Sequence, residues 1–469
     1  MIILSVNNLP FIWYQALKIA RNRCSQVSLY RLDGVVTAQA YHLYCAKCKT
    51  SFYHSFSEQQ GSDQNPNLRK YNPSVLQTDI IMVSRETAFE MRYLREVCVD
   101  MELGRSFDDV AERYNRLYGQ VGEERGVLQK KRMEDAYFLL KLLQFFNTEL
   151  TVQINKTSNR IDVDDLCDSA VVEVFSSENE WKHHVCKVKG CLEGFIMCDG
   201  NEKLCRRICA APRETINLSR SMPKIVDKCG NSPVFGGQNQ QASKYCRNHQ
   251  ELAANEPPAK KILLTINIPD QIVSSRIVAM STDLASNSDT TMHIACKKAA
   301  NVKHFHEKTA GIMAIVRPCG MVLDCRELYT CESASQLFVQ LLKLIDEPNA
   351  RIEYIGYDRA CEFVPFLRNL KKKGNIGAEK LLEKQYLVDN FHIAGHTSEA
   401  CDPASDKCEF HHSLPKFSKI SDANTECAEQ TFSWLKRYKN IVKYMTASRF
   451  RFFIYTVIKA HNEAIDRKK

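Results

Sequence analysis

The chain has 469 residues, 44% of them apolar, with 64 Lys and Arg against 55 Asp and Glu for a net charge of +9. That length predicts two or three domains with a sizeable core, and the modest positive excess fits a polyanionic partner without demanding one. No window approaches the roughly 18 uninterrupted apolar residues of a membrane span. The start, "MIILSVNNLPFIWYQALKIARNRC", carries no basic leader and no small-residue cleavage site, so it does not read as a signal peptide. Twenty cysteines stand out. In a chain of this length without a secretory signal they predict metal ligands or buried thiols in a reducing compartment, with several zinc sites.

Residues 1–75 mix short apolar runs with one CxxC, Cys45 and Cys48, in "YHLYCAKCKTSFYHSF". A pair of cysteines two apart is half of a tetrahedral zinc site, and Cys24 and His42 lie nearby. The polar stretch "SEQQGSDQNPNLRKYNP" then reads as a turn cluster. Residues 76–160 are predicted helical. "SRETAFEMRYLREVCVDMELG" opens with the capping residues Ser84, Glu86 and Thr87. "SFDDVAERYNRLYGQV" and "RMEDAYFLLKLLQFFN" carry apolar residues at helical spacing. This region reads as a packing or spacer domain, with a DNA-touching helix-turn-helix as the alternative.

After "NKTSNRIDVDDLCDSA" the character changes. Strands are predicted at 193–199, 261–268, 310–317, 321–329 and 352–357, with an amphipathic helix in "ESASQLFVQLLKLI" and a long helix over about 423–445. That order predicts an α/β domain with a mixed sheet. Two strands run directly into an acid: "FIMCDGN" into Asp199 and "RIEYIGYDRACEF" into Asp358. An ionised carboxylate at the end of an apolar strand is costly unless something pairs with it. Strand ends are also where the sites of α/β sheets gather. Glu426 and Glu429, in "SDANTECAEQTFSWLKRY", share a helix face. Two strand-end aspartates and a helix-borne glutamate could hold a pair of Mg²⁺ or Mn²⁺ ions about 3.5–4 Å apart and activate a phosphodiester. The plain alternative is turn and cap residues.

Two further groups combine cysteine and histidine. In "CRRICAAPRE…DKCGNSP…KYCRNHQ", Cys246 and His249 form a CxxH pair, with Cys209 and Cys229 as the other half of a zinc site and Cys205 as an alternative. In "NFHIAGHTSEACDPASDKCEFHH", His392, His396, Cys401 and Cys408 have ligand spacing, with His411 and His412 spare. Cys186 and Cys191, in "HHVCKVKGC", are either ligands or buried thiols, and Cys98, Cys167, Cys319, Cys331 and Cys427 read as core thiols.

Four stretches taken in order, "CDGNEKLCRRIC", "YIGYDRACEF", "YLVDNFHIAGHTSEAC" and "NTECAEQTFSWL", resemble the KDZ (Kyakuja–Dileera–Zisupton) transposases from about residue 185 to 465. The N-terminal stretch resembles a cysteine-cluster module that accompanies such transposases, and the segment after Asp199 resembles a second such module. The resemblance implies a DDE-type enzyme on an RNase H-like fold with zinc-binding insertions. It makes Asp199 and Asp358 the first two catalytic acids. For the third it favours Glu429, which precedes Gln-Thr-Phe-Ser as in the "ERxFS" helix of hAT transposases, with Glu426 as a second ligand or structural partner. Asp389, in "VDNFH", reads as a turn acid.

The expected layout is a cysteine-cluster module (1–75), a helical region (76–160), a first core strand with its zinc insertion (180–255) and the rest of the catalytic core (256–469). The expected partners are DNA, both transposon ends and target, with room for a homo-oligomer. The expected place of work is the nucleus, with no membrane. Basic stretches "PPAKKILL", "LKKKGN" and "LKRYKN" are candidates for phosphate contacts. The rival reading is a domesticated, non-catalytic zinc-containing DNA-binding or chromatin protein that keeps the fold.

Overall fold

The computed structural model describes residues 3–4, 24–61, 67–119, 127–154, 160–176, 184, 186–188, 190–201, 203–209, 215–216, 225–226, 233, 245–246, 249, 251, 308–328, 332–345, 351–388, 392, 409–411 and 413–467. The strand expected at 261–268 and the basic stretch "PPAKKILL" lie outside these residues. The chain divides into two compact units. The first comprises Met1–Ser177 with Ser448–Val457, and the second Glu178–Ala447 with Ile458–Lys469.

In the first unit the strands are β1 (Ile3–Leu4), β2 (Cys24–Arg31), β3 (Gly34–Tyr41), β4 (Leu43–Cys45), β5 (Thr50–Phe52), β6 (Phe56–Gln59), β7 (Asn67–Tyr71), β8 (Ile80–Ser84), β9 (Thr87–Glu90), β10 (Leu150–Ile154) and β11 (Ile161–Asp162). They build two sheets, in the orders β1-β3-β2-β9-β8 and β11-β10-β7-β6-β5-β4. Helices α1 (Met91–Glu102), α2 (Phe107–Tyr118), α3 (Lys130–Phe146) and α4 (Asp164–Ser176) complete it.

The helical run begins at Met91 rather than Ser84. Thr87–Glu90 is instead a strand parallel to β2, with Ala88 and Phe89 fully buried. Burial against a partner strand overrode the local capping signal. The reciprocal capping box sits one helix later, between Ser106 and Asp109 at the start of α2. Arg69 and Glu58 are buried together, 3.0 Å apart. Their mutual charge and the Arg69 bond to the Val83 carbonyl at 2.7 Å offset a desolvation cost that neither would survive alone.

The second unit is organised around one sheet. Its strands are β12 (Phe195–Asn201), β15 (Gly311–Val316), β16 (Val322–Leu328), β17 (Tyr354–Tyr357) and β18 (Gln385–Leu387), in the order β16-β15-β12-β17-β18. A short ribbon, β13 (Thr215–Ile216) with β14 (Ile225–Val226), stands apart from it. β12, β15 and β16 run antiparallel in sequence order, and β17 and β18 then add parallel to β12. The parallel additions need crossover connections, supplied by α5 (Ala334–Ile345), α6 (Ala360–Lys372) and α7 (Ile376–Leu382). Leu337, Phe338, Leu341 and Leu344 lie on one face of α5 and are buried, each contributing about 1.5–3 kcal/mol. The central strands are apolar on both faces, as a covered sheet requires.

The long helix expected over 423–445 is broken into α8 (Cys427–Leu435), a tightened turn at Lys436–Tyr438 and α9 (Lys439–Val442). A last helix, α10 (Ala447–Asp466), follows. Its residues Ser448–Val457 count with the first unit and the remainder with the second. Among the described residues no helix is long and apolar enough to cross a membrane.

Candidate active site

β12 and β17 are adjacent and parallel, with Cys198 level with Tyr357. Asp199 and Asp358, each one residue further, therefore lie side by side, Asp358 just past the end of β17 and Asp199 two residues before the end of β12, which runs on to Asn201. The apolar runs Phe195–Cys198 and Tyr354–Tyr357 are buried, which fixes both strands and so the position of both acids. A third acid joins them. Glu332, two residues before α5, brings a carboxylate oxygen within 4.8 Å of oxygens of Asp199 and Asp358. Its Oε1 accepts a hydrogen bond from the Tyr357 hydroxyl at 2.8 Å. Gly200 makes room for it, since a Cβ there would stand 2.1 Å from Glu332 Oε2.

The electrostatics of this trio are unfavourable without a counter-charge. Asp199 is 9% exposed, and its carboxyl is pushed well above the usual carboxylate range. Burial is the largest cause, followed by the charges of Asp358, Glu332 and Glu429. One Asp199 oxygen accepts the Gly200 backbone N–H at 2.7 Å, which offsets part of the cost. Arg359 adds positive charge nearby, donating to the Glu332 backbone carbonyl at 3.5 Å while pairing with Glu362.

Glu429 approaches from α8, which packs on β12 and β15 through buried Cys427, Ala428 and Phe432. It lies close enough to act on Asp199, and its Oε1 is 3.6 Å from His392 Nε2. Glu426 stands at the N-terminal boundary of α8; it and Glu429 are both exposed, and neither is among the three carboxylates that meet within 4.8 Å. Asp389 lies outside the described residues.

The cysteine and histidine clusters divide in the same way. Cys209, Cys246 and His249 converge, with His249 Nδ1 3.5 Å from the Cys209 sulfur and 3.3 Å from that of Cys246. A Zn–S bond of about 2.3 Å and a Zn–N bond of about 2.0–2.1 Å at a tetrahedral angle place S and N about 3.6 Å apart, so this triad fits zinc. Cys229 lies outside the described residues, and Cys205 is not in the group. Of the second set, His392 is described and faces Glu429; His396, Cys401 and Cys408 lie outside, and of the two spare histidines His411 is described, its Nδ1 beside Ser413. Cys45 and Cys48 flank the tight turn between β4 and β5, where the Cys48 backbone N–H and side chain lower the Cys45 thiol. Among the described residues no group of three metal-ligating side chains includes them. Cys98, Cys167 and Cys427 are buried thiols, as expected.

Sequence reasoning missed Glu332. Unlike the two aspartates it does not interrupt an apolar strand, since it stands four residues beyond the end of β16. It also heads the apolar pattern of α5, where an acid has an ordinary role against the helix dipole.

Residues 192–462 match the family model of the Kyakuja-Dileera-Zisupton transposases, more than half of the chain. The chain belongs to the KDZ transposase family. Residues 14–118 match the CxC5-like cysteine cluster associated with KDZ transposases, which takes in Cys24, Cys45 and Cys48. The KDZ match spans the acid site, from the strand bearing Asp199 to α10. Searches of curated proteins and of solved structures gave no match. Membership of the KDZ family implies a transposase-type function acting on DNA.

Proposed function

We propose that this KDZ chain is a DDE-type transposase whose Asp199, Asp358 and Glu332, with Glu429 facing them from α8, hold Mg²⁺ or Mn²⁺ and support cutting and joining of DNA phosphodiesters. The observation that carries this reading is the convergence of three carboxylates within 4.8 Å around a buried aspartate. Hard oxygen donors in a desolvated cluster favour a hard divalent cation over a proton or a lone lysine. When bound, such ions activate the attacking oxygen and stabilise the leaving one. The chain's own part is positional. β12 and β17 fix two acids, Tyr357 orients Glu332 by hydrogen bonding, and His392 faces the free end of Glu429. Glu429, rather than Glu426, is the favoured third acid of the family pattern.

The sheet order, three antiparallel strands in sequence followed by two parallel ones reached through helices, supports an RNase H-like core. Exposed Lys371–Lys373 at the end of α6, and Lys436, Arg437 and Lys439 after α8, are suited to DNA phosphates. The proposed place of this work on DNA is the nucleus. Zinc is the proposed occupant of Cys209, Cys246 and His249, with Cys229 as fourth ligand. Cys246→Ser is expected to lower the zinc content of the purified protein by one equivalent; an unchanged content would remove this site.

Gly200→Ala tests the acid site without removing an acid. The new methyl must displace the Glu332 carboxylate, the flexible end of a side chain, so the fold is expected to hold. Mn²⁺ affinity measured by calorimetry should fall about 10–100-fold, as when a ligand's support is lost. Melting temperature in the absence of metal should stay within about 3 °C, corresponding to roughly 1 kcal/mol. An unchanged Mn²⁺ affinity would take Glu332 out of the site.

A further inference from the structure

A second constellation of ligand-type side chains lies away from the acids, and the sequence reading divided it between ambiguous ligands and core thiols. His184 and Cys186 precede β12, and Cys319 sits in the turn joining β15 to β16. One ligand atom from each falls within 4.8 Å of the others. Cys319 is not a core thiol but a half-buried turn residue beside a buried imidazole. Its sulfur is 3.6 Å from His184 Nε2, close to the S···N separation of about 3.6 Å that tetrahedral zinc imposes. Cys191 stands beside Cys319, outside the group of three, and is the candidate for the fourth ligand.

We propose that His184, Cys186, Cys191 and Cys319 bind one zinc ion in a closed, tetrahedral structural site. Three thiols and an imidazole select zinc over the hard cations of the acid site.

The surroundings have the features of a built metal site. The Val188 N–H donates to the Cys186 sulfur at 3.4 Å, and the Met321 backbone N–H lies near that of Cys319 and lowers its thiol. In both loops the N–H stands two residues after the cysteine, a turn that presents amide dipoles to a thiolate. The turn after Cys186 also needs Gly190, which has φ +82° and leaves no room for a Cβ beside the Asp422 carbonyl. His184 aims Nε2 at the thiols while its Nδ1 lies 3.0 Å from an Asp466 carboxylate oxygen. A carboxylate behind a ligating imidazole fixes its tautomer and raises its basicity, and the side chain of His184 is only 2% exposed.

Such a clip would fasten the entry to β12, the β15–β16 turn and the last turn of α10 to one point. It also borders the helix that carries Glu429. Trp434 of α8 stacks on His461 at 4.2 Å, His461 Nε2 is 3.0 Å from the Gly320 carbonyl, and Asn424 donates to the Pro318 carbonyl at 3.3 Å. The role in placing Glu429 rests on the proposed acid site; zinc binding itself does not.

The test is zinc content per full-length chain purified under reducing conditions. Cys319→Ser and Cys191→Ser should each contain one equivalent less than wild type, and Asp199→Asn should contain the same as wild type. Failure of the acid-site reading would therefore leave this result intact. Asp466→Asn keeps all four ligands and guards against variants that do not fold. It should bind zinc about 10–100-fold more weakly in a chelator competition. Unchanged zinc content in both cysteine variants would overturn the proposal. So would a Cys191–Cys319 disulfide found by mass spectrometry in wild type whose zinc content is unaffected by Cys186→Ser.

Discussion

Asp358→Asn is expected to reduce nicking of transposon-end DNA in Mg²⁺ or Mn²⁺ by on the order of a thousandfold, the loss typical of removing one pre-organised charge-stabilising group. The substitution keeps the shape of the side chain and removes its charge at the end of β17, beside buried Asp199. DNA affinity at fixed salt should hardly change, because phosphate contacts come from Lys and Arg elsewhere. It would rise slightly if the lost negative charge lies on the DNA path. The same variant should differ from wild type in stability. Asp199 is held well above its ordinary value, by burial first and then by the Asp358 charge. Above the unfolded carboxyl value of about 3.9, the native state retains a proton that the unfolded chain has released. Metal-free stability therefore falls as pH rises through that window. With the Asp358 charge gone the window narrows. Asp358→Asn should thus be more stable than wild type near neutral pH without divalent ions, and equal to it below about pH 4. Wild type that binds DNA but never nicks it would favour the domesticated reading. Nicking that survives in Asp358→Asn would show that the acids serve something other than catalysis.

The largest expected stability effect lies in the first unit, at Arg449. This side chain is 10% exposed and serves three acids: Nη1 is 3.1 Å from Glu134 and 3.5 Å from Asp135, and Nε is 3.0 Å from Asp164. Its guanidinium also lies over the Phe138 ring at 5.3 Å. Asp135 is buried and raised by that burial, and Arg160 and Arg449 oppose the shift. Arg449→Met preserves most of the packing and leaves Glu134, Asp135 and Asp164 without this cation. Breaking a buried network from one side costs about 3–5 kcal/mol. That corresponds to a fall in melting temperature on the order of 10 °C for a unit of this size. Part of the loss should return at acid pH, where Asp135 can bind a proton instead. Arg451→Met is the control. Arg451 pairs with Asp168 where both side chains are about two-fifths exposed, so the cost should stay below about 1 kcal/mol. Equal effects from the two variants would show that the Arg449 network is no more than a surface arrangement.

The acid site was partly legible because its two aspartates break an otherwise apolar run. A carboxylate there contradicts the strand pattern, and such contradictions tend to mark function. Glu332 contradicts nothing, since a glutamate ahead of "SASQLFVQLL" agrees with a helix start. Spacing on a single face leaves Glu426 and Glu429 equivalent, and it is the resemblance that favours Glu429. The cysteines followed a similar rule. Cys246 and His249 are close in sequence and readable, whereas Cys319 lies more than a hundred residues from His184, and only the return of the β15–β16 turn brings them together. In the first unit, β2 pairs in parallel with β9 across nearly sixty residues. Local propensity around Ser84 has no knowledge of that partner, so a strand read as the start of a helix.

α10 has a consequence for the order in which the molecule can be made. A ribosome that has finished Ser177 has delivered the N-terminal part of the first unit, but Ser448–Val457 are still to be synthesised. At about 5–20 residues per second, the intervening stretch takes on the order of tens of seconds. During that interval Glu134, Asp135 and Asp164 have no Arg449, and the aromatic face of α3 has neither Phe452 nor Phe453 to cover it. The first unit, begun before the second, is thus completed only after residue 447 has been made. Nascent chains halted before residue 448 would expose an apolar, acidic surface of the kind chaperones recognise, and released ones should be more protease-sensitive at α3 than the finished protein.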